Sequence, residues 1–239
     1  MFPLHDENPT RIRPVVTIGL ILANLWVFFF VQPIAPRAAA EEFLYREAAI
    51  SCEIVTGHPL TAEEIVSGRC RVDEGEPVFP DKNPFLSVLA SMFLHGGVAH
   101  VLFNMWFLWI FGNNVEEAYG RVGYIFLYLL GGIAAAFGFV ALNPGSTVPL
   151  VGASGAIAAI LGAYAVLYPR HAVISLVGWW VLPVPAILFL GVWFVAQFGL
   201  GGTNVAWEAH VGGFIFGLVV TLFQRRRLLR RVYSYARAR

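Results

Sequence analysis

Charged residues are scarce in this chain: they make up 13% of its 239 residues, against 58% hydrophobic and 15% aromatic. An average soluble domain carries roughly twice that charged fraction. The balance therefore predicts an integral membrane protein, as does the mean hydropathy of +0.68. Basic runs interleaved with aromatics are absent from any soluble context, which leaves nucleic-acid binding without support. Paired half-repeats and charges strung along an apolar path are missing too, which speaks against a transporter or channel. Cysteine occurs only twice, and nothing in the sequence calls for a metal or a cofactor.

The few charges are segregated. The tail Arg225-Arg226-Arg227-Leu228-Leu229-Arg230-Arg231 is basic, whereas Glu41, Glu42, Glu47, Glu53, Glu63, Glu64, Asp73, Glu74, Glu76 and Asp81 dominate the stretch after the first apolar run. By the positive-inside rule the tail is cytoplasmic and the acidic stretch lies outside. The expected organisation is a cytoplasmic N-terminus over 1–14, a membrane domain over 15–223 with an outer cap over about 32–84, and a basic cytoplasmic tail over 224–239. Both termini are then cytoplasmic in a multi-pass protein of the bacterial inner (plasma) membrane. Pro36-Arg37-Ala38-Ala39-Ala40 resembles a signal-peptidase site, so a cleaved signal is an open alternative. The chain emerges outside in either case.

The apolar runs predict an all-α polytopic fold of six transmembrane helices: Val15 to Val31, Phe93 to Phe111, Val122 to Leu142, Ser154 to Tyr168, Val181 to Leu200 and Val205 to Phe223. The fifth holds Pro183 and Pro185 near its inner end, and Gly199 to Gly202 loosen the turn that follows. In the cap, a helix is expected over Ala38 to Cys52. Thr61-Ala62-Glu63-Glu64 is a capping box for a second one. Cys52 and Cys70 both lie in this outer segment, where disulfides persist; a bridge is expected, with two free thiols as the alternative. The segment Asn143 to Leu150 has no charge and two prolines, a composition that can re-enter the membrane where protein or water lines it. The helix after it covers only roughly 22 Å of about 30 Å of hydrocarbon. Ser154 would thus sit about 8 Å below the outer surface.

Ser154 stands between Gly152, Ala153 and Gly155, where that loop becomes a helix of small residues. Unpaired N–H groups and the helix dipole at such an end can receive a developing oxyanion. The competing reading is that Ser154 caps the helix and the glycines allow close packing. His100 and Asn104 lie four apart on one face of the second helix, with His95 nearer its outer end. An intramembrane His is often a helix-to-helix hydrogen bond, but a His/Asn pair on one face narrows that reading. In the sixth helix, Ala209, Gly213 and Gly217 form a small-residue stripe that can pack on Ser154, Ala158 and Gly162. That packing would bring His210 within reach of Ser154, the nucleophile and base of acyl transfer. No acid is placed to complete a triad, since Glu208 is two residues from His210 and points away.

These residues resemble the rhomboid family of intramembrane serine proteases. The resemblance runs from about Phe85 to Leu222 through His95, His100 and Asn104, Gly112 to Glu116, Gly152-Ala153-Ser154-Gly155, and Ala209-His210 with Gly213 and Gly217. It implies a six-helix core, Ser154 as nucleophile, His210 as base, and His100, Asn104 and the Ser154 N–H around the oxyanion. His95, Gly152, Gly155, Gly213 and Gly217 would support them. Glu116 matches the family's acid at the inner end of the second helix and reads as structural. Two positions depart from the pattern: Leu86 and Ser87 replace a Trp-Arg pair of the first outer loop, and Ala158 replaces an aromatic that stacks on the histidine. The expected function is cleavage of transmembrane or juxtamembrane segments of membrane proteins within the lipid bilayer. A catalytically inactive relative that only binds such proteins is the alternative. Substrate identity and oligomeric state are not readable from the residues.

Overall fold

The computed structural model describes residues 1–72, 75–201 and 205–237. Asp73, Glu74 and Gly202, which the sequence reading places in loops, lie outside the described residues. The chain is mostly helical, but not wholly as expected, because three strands form a small antiparallel sheet of order β1-β2-β3. The strands are β1 (Phe2–Asp6), β2 (Ala172–Val177) and β3 (Trp180–Pro185). The helices are α1 (Val15–Trp26, prolonged by a π-helical turn Val27–Val31), α2 (Arg37–Glu47), α3 (Ser51–Thr56), α4 (Ala62–Ser67), α5 (Ser87–Ser91), α6 (Val98–Leu142), α7 (Ser154–Leu167), α8 (Ala186–Gln197) and α9 (Trp207–Arg237). Val98–Leu142 and Trp207–Ser234 are long and apolar enough to cross a membrane, while Val15–Val31, Ser154–Leu167 and Ala186–Leu200 are shorter apolar helices.

α6 is two helices in one. Gly120 interrupts it with φ 70° and ψ 162°, a left-handed backbone conformation that only glycine adopts without strain. The helices built on the second and third apolar runs therefore meet at a single residue. The end of the first half also closes α1. The Glu116 carboxylate accepts from the Val16 N–H (3.0 Å), the Thr17 N–H (2.8 Å) and the Thr17 hydroxyl (2.8 Å). Those are donors that the first turn of a helix leaves unpaired, so Glu116 caps α1 from another element. Its structural role agrees with the expectation.

The fifth apolar run differs from its expected course. Residues 181–185 continue a hairpin, and α8 begins only at Ala186. Pro183 and Pro185 have no N–H for a helix, but both fit β3, an edge strand, and a proline just before a helix leaves no donor unsatisfied. The basic tail also differs: α9 runs unbroken through it to Arg237. Arg225 donates to the Val166 carbonyl (3.1 Å), and Arg231 to that of Tyr119. The tail is thus packed against the ends of α7 and of the first half of α6.

In the cap, the helix expected over Ala38 to Cys52 divides into α2 and α3. The residues between them turn extended, and Ala49 bridges Leu150 instead. The Thr61/Glu64 capping box is formed in full, and Cys52 is bonded to Cys70. Around these elements α7 is the central post. Every residue from Gly155 to Leu167 is buried, as an all-apolar helix surrounded by others must be.

Candidate active site

Close packing of α7 on α9 sets the site. A methyl group on Gly213 would overlap the Gly155 carbonyl, one on Gly217 that of Ala159, and one on Gly162 that of Phe214. The backbones therefore touch along the glycine stripe of α9, as the sequence suggests, but the matching stripe on α7 is Gly155, Ala159 and Gly162. Ser154 and Ala158 are rotated off it. That rotation turns Ser154, at the N-terminus of α7, away from the glycine seam.

Ser154, His100, Asn104, Gly152, Gly155 and His210 all line one cavity of about 1060 Å³. One wall is the loop before α7, and that loop is hung from the cap and from α5. Leu150 N–H donates to Ala49 O (2.8 Å), Gly152 N–H to Ser91 O (2.9 Å), and Cys52 N–H to Ser146 O (3.0 Å). Ser91 in turn accepts the Ala49 N–H at 2.7 Å. Within the cap, a buried ion pair ties α3 to the segment before α5, Lys82 Nζ to Glu53 Oε2 at 2.6 Å, with Lys82 also donating to Tyr45 O. Burial pushes the Lys82 ammonium down and the Glu53 carboxyl up, while their mutual attraction opposes both shifts.

Gly152 has φ 125°, and a Cβ there would lie 2.8 Å from His100 Nε2 and 3.3 Å from Ser154 Oγ. His100 and Ser154 therefore converge on the same few ångströms of backbone. The other ring nitrogen of His100, Nδ1, accepts a long hydrogen bond from Gly96 N–H (3.4 Å). A neutral ring that accepts at Nδ1 carries its proton on Nε2, so His100 presents a donor toward Ser154. Asn104 is buried, and its amide nitrogen has no protein partner among the described residues. An unpaired buried donor is costly. Here it borders the cavity rather than tying two helices together.

His95 does not reach the cavity. Its ring packs edge-on against His100 at 5.2 Å between centroids. Its backbone is clasped by Gln32, which accepts from His95 N–H (3.0 Å) and donates to His95 O (2.6 Å). Gly213 and Gly217 likewise serve packing alone. His210 and Ser154 face the same space, although among the described residues no direct hydrogen bond joins them. Such bonds often form only when substrate arrives. His210 Nδ1 is instead 2.7 Å from Gln197 Oε1, a partner that the sequence reading missed.

A family model, Rhomboid domain, matches residues 82–227. The chain is 34% identical over 132 residues to Rhomboid protease GluP of Bacillus subtilis (strain 168), covering 54% of this chain and 24% of that one. It is 31% identical over 206 residues to Rhomboid-like protease 5 of Toxoplasma gondii, covering 69% and 23%. With Rhomboid protease GlpG of Yersinia pseudotuberculosis it shares 29% over 152 residues, covering 60% and 50%. The chain thus spans about a quarter to a half of these relatives' length. The matched stretch contains every residue of the cavity named above, and the chain belongs to the membrane-embedded rhomboid family.

Proposed function

We propose that the chain is an intramembrane serine endopeptidase that hydrolyses peptide bonds in or beside the membrane segments of other proteins. In this reading the hydrocarbon is crossed six times, by α1, the two halves of α6, α7, α8 and α9. The loop from Asn143 to Ala153 re-enters the membrane, and both termini are cytoplasmic in a bacterial inner membrane. Ser154 Oγ attacks the scissile carbonyl carbon and its proton passes to His210 Nε2. The amine leaves with that proton, and water then cleaves the acyl-enzyme by the same route in reverse. His100 Nε2, the Asn104 amide and the Ser154 N–H donate to the oxyanion of each tetrahedral intermediate.

The observation that carries this reading is the shared cavity, in which a serine at a helix N-terminus faces a histidine and two donors, one of them unpaired. Purified protein in detergent should react with a fluorophosphonate probe at Ser154 and cleave a generic transmembrane substrate. Ser154→Ala and His210→Ala should each abolish both while staying folded. Folded wild-type protein that neither reacts nor cleaves would favour an inactive relative that only binds membrane proteins.

A further inference from the structure

Gln197 is the last residue of α8 and is buried at 5% exposure, close to the histidine of α9. Its amide nitrogen donates to Trp193 O at 2.9 Å, one helical turn back. A carbonyl oxygen can only accept, so this bond fixes which end of the amide faces the opposite way. The end that faces His210 Nδ1, at 2.7 Å, is the oxygen Oε1. Rotating the amide by half a turn would set two oxygens against each other at Trp193. With an acceptor opposite it, Nδ1 must carry the ring proton. A neutral imidazole has only one, which leaves the Nε2 lone pair free.

The ring has a second constraint. Trp193 lies beside it with centroids 6.1 Å apart and planes inclined by 34°, and Phe214 backs Trp193 at 5.9 Å. α7 offers no aromatic at Ala158, so α8 supplies both the flat neighbour and the polar one. The titratable groups of His210's cavity are His100 from α6 and Glu208 from α9, and neither is hydrogen-bonded to the ring.

We propose that Gln197 is a positioning residue: it holds His210 in the Nδ1–H tautomer, with Nε2 presented to the Ser154 side of the cavity. It occupies the place that a carboxylate takes in a triad and fixes the base without adding a charge. The inference rests on the protease reading above, with Ser154 and His210 as its reacting pair.

Two measurements separate this inference from that reading. The first needs no activity: nitrogen-15 NMR of folded, histidine-labelled Ser154→Ala protein, with the His210 signals identified by their loss in a Ser154→Ala/His210→Ala protein. A protonated Nδ1 and a bare Nε2 are expected; the opposite tautomer overturns the proposal even if the enzyme is active. The second is kinetic. Gln197→Leu should lower kcat by about 100-fold with KM and melting temperature little changed, since a wrongly protonated ring costs heavily in serine triads. Gln197→Glu, which keeps an acceptor in place, should recover most of the loss. Wild-type kcat in folded Gln197→Leu, or equal loss in both variants, overturns the proposal. If Gln197→Leu does not fold, the tautomer and the Gln197→Glu kcat still decide it. Wild-type protein that shows no cleavage and no probe labelling would sink the protease reading, while the tautomer measurement would still answer for Gln197.

Discussion

Gly217 lies against Ala159 so closely that a single added methyl would overlap the Ala159 carbonyl oxygen. The obstacle is backbone, which cannot swing aside as a side chain can. Gly217→Ala should therefore destabilise the fold by about 3 kcal/mol, the upper end of ordinary overpacking costs. Gly191→Ala, in α8 with nothing within 4 Å of the new methyl, should be neutral or slightly stabilising. Thermal unfolding in detergent checks both, and equal melting temperatures for the two variants would contradict the close seam.

Asn104→Ala separates transition-state stabilisation from packing. Its amide nitrogen has no protein partner among the described residues, so its removal breaks no helix-to-helix bond. We expect kcat to fall about 100-fold to 1,000-fold with only a small change in melting temperature. Normal turnover per folded molecule would remove Asn104 from the oxyanion site.

The Lys82–Glu53 pair should behave as buried ion pairs do. Lys82→Met leaves a carboxylate with only the Leu60 N–H (3.1 Å) among the described residues and should cost about 3–5 kcal/mol. Lys82→Met combined with Glu53→Leu should recover only part of that, because no charge is left unpaired but the Leu60 N–H and the Tyr45 carbonyl lose their partners. Denaturant titration is the check; a single variant as stable as the wild type would mean that the cap is not anchored there.

The disulfide closes a short loop, Cys52 and Cys70 being separated by 18 positions in sequence. Cys52→Ser with Cys70→Ser should destabilise the cap by about 3 kcal/mol. Since Ala49 and Cys52 of the cap hold Leu150 and Ser146 in place, proteolytic nicking of the loop before α7 should rise in step. Unchanged nicking would show that the loop is held without the bridge.

Much of this was legible in the residues. Ser154, His210, His100 and Asn104 were singled out because polar side chains stand out in an apolar chain, and the structure lines one cavity with all four. Glu116 and the Thr61 capping box were readable because helix starts leave known donors unpaired. The sheet was not. Residues 172–185 are apolar enough to pass for the start of a span, and only the two prolines hinted otherwise. Gln197 was not singled out, since its pairing with His210 depends on how α8 and α9 pack rather than on any spacing in the sequence. The stripe on α7 was misread by one residue, since Ser154, Gly155, Ala158 and Ala159 are all small and composition cannot fix rotation.

The arginines of the C-terminal helix have two duties at once. As charges they favour one side of the bilayer; as donors, Arg225 and Arg231 reach back to carbonyls at the ends of α7 and of the first half of α6. Those ends carry the negative pole of their helix dipoles, so the pairing suits both partners. The choice of threading direction and the completion of the fold are thereby written into the same side chains. Replacing either arginine by a neutral residue would therefore touch the bias in orientation and the packing of the tail together.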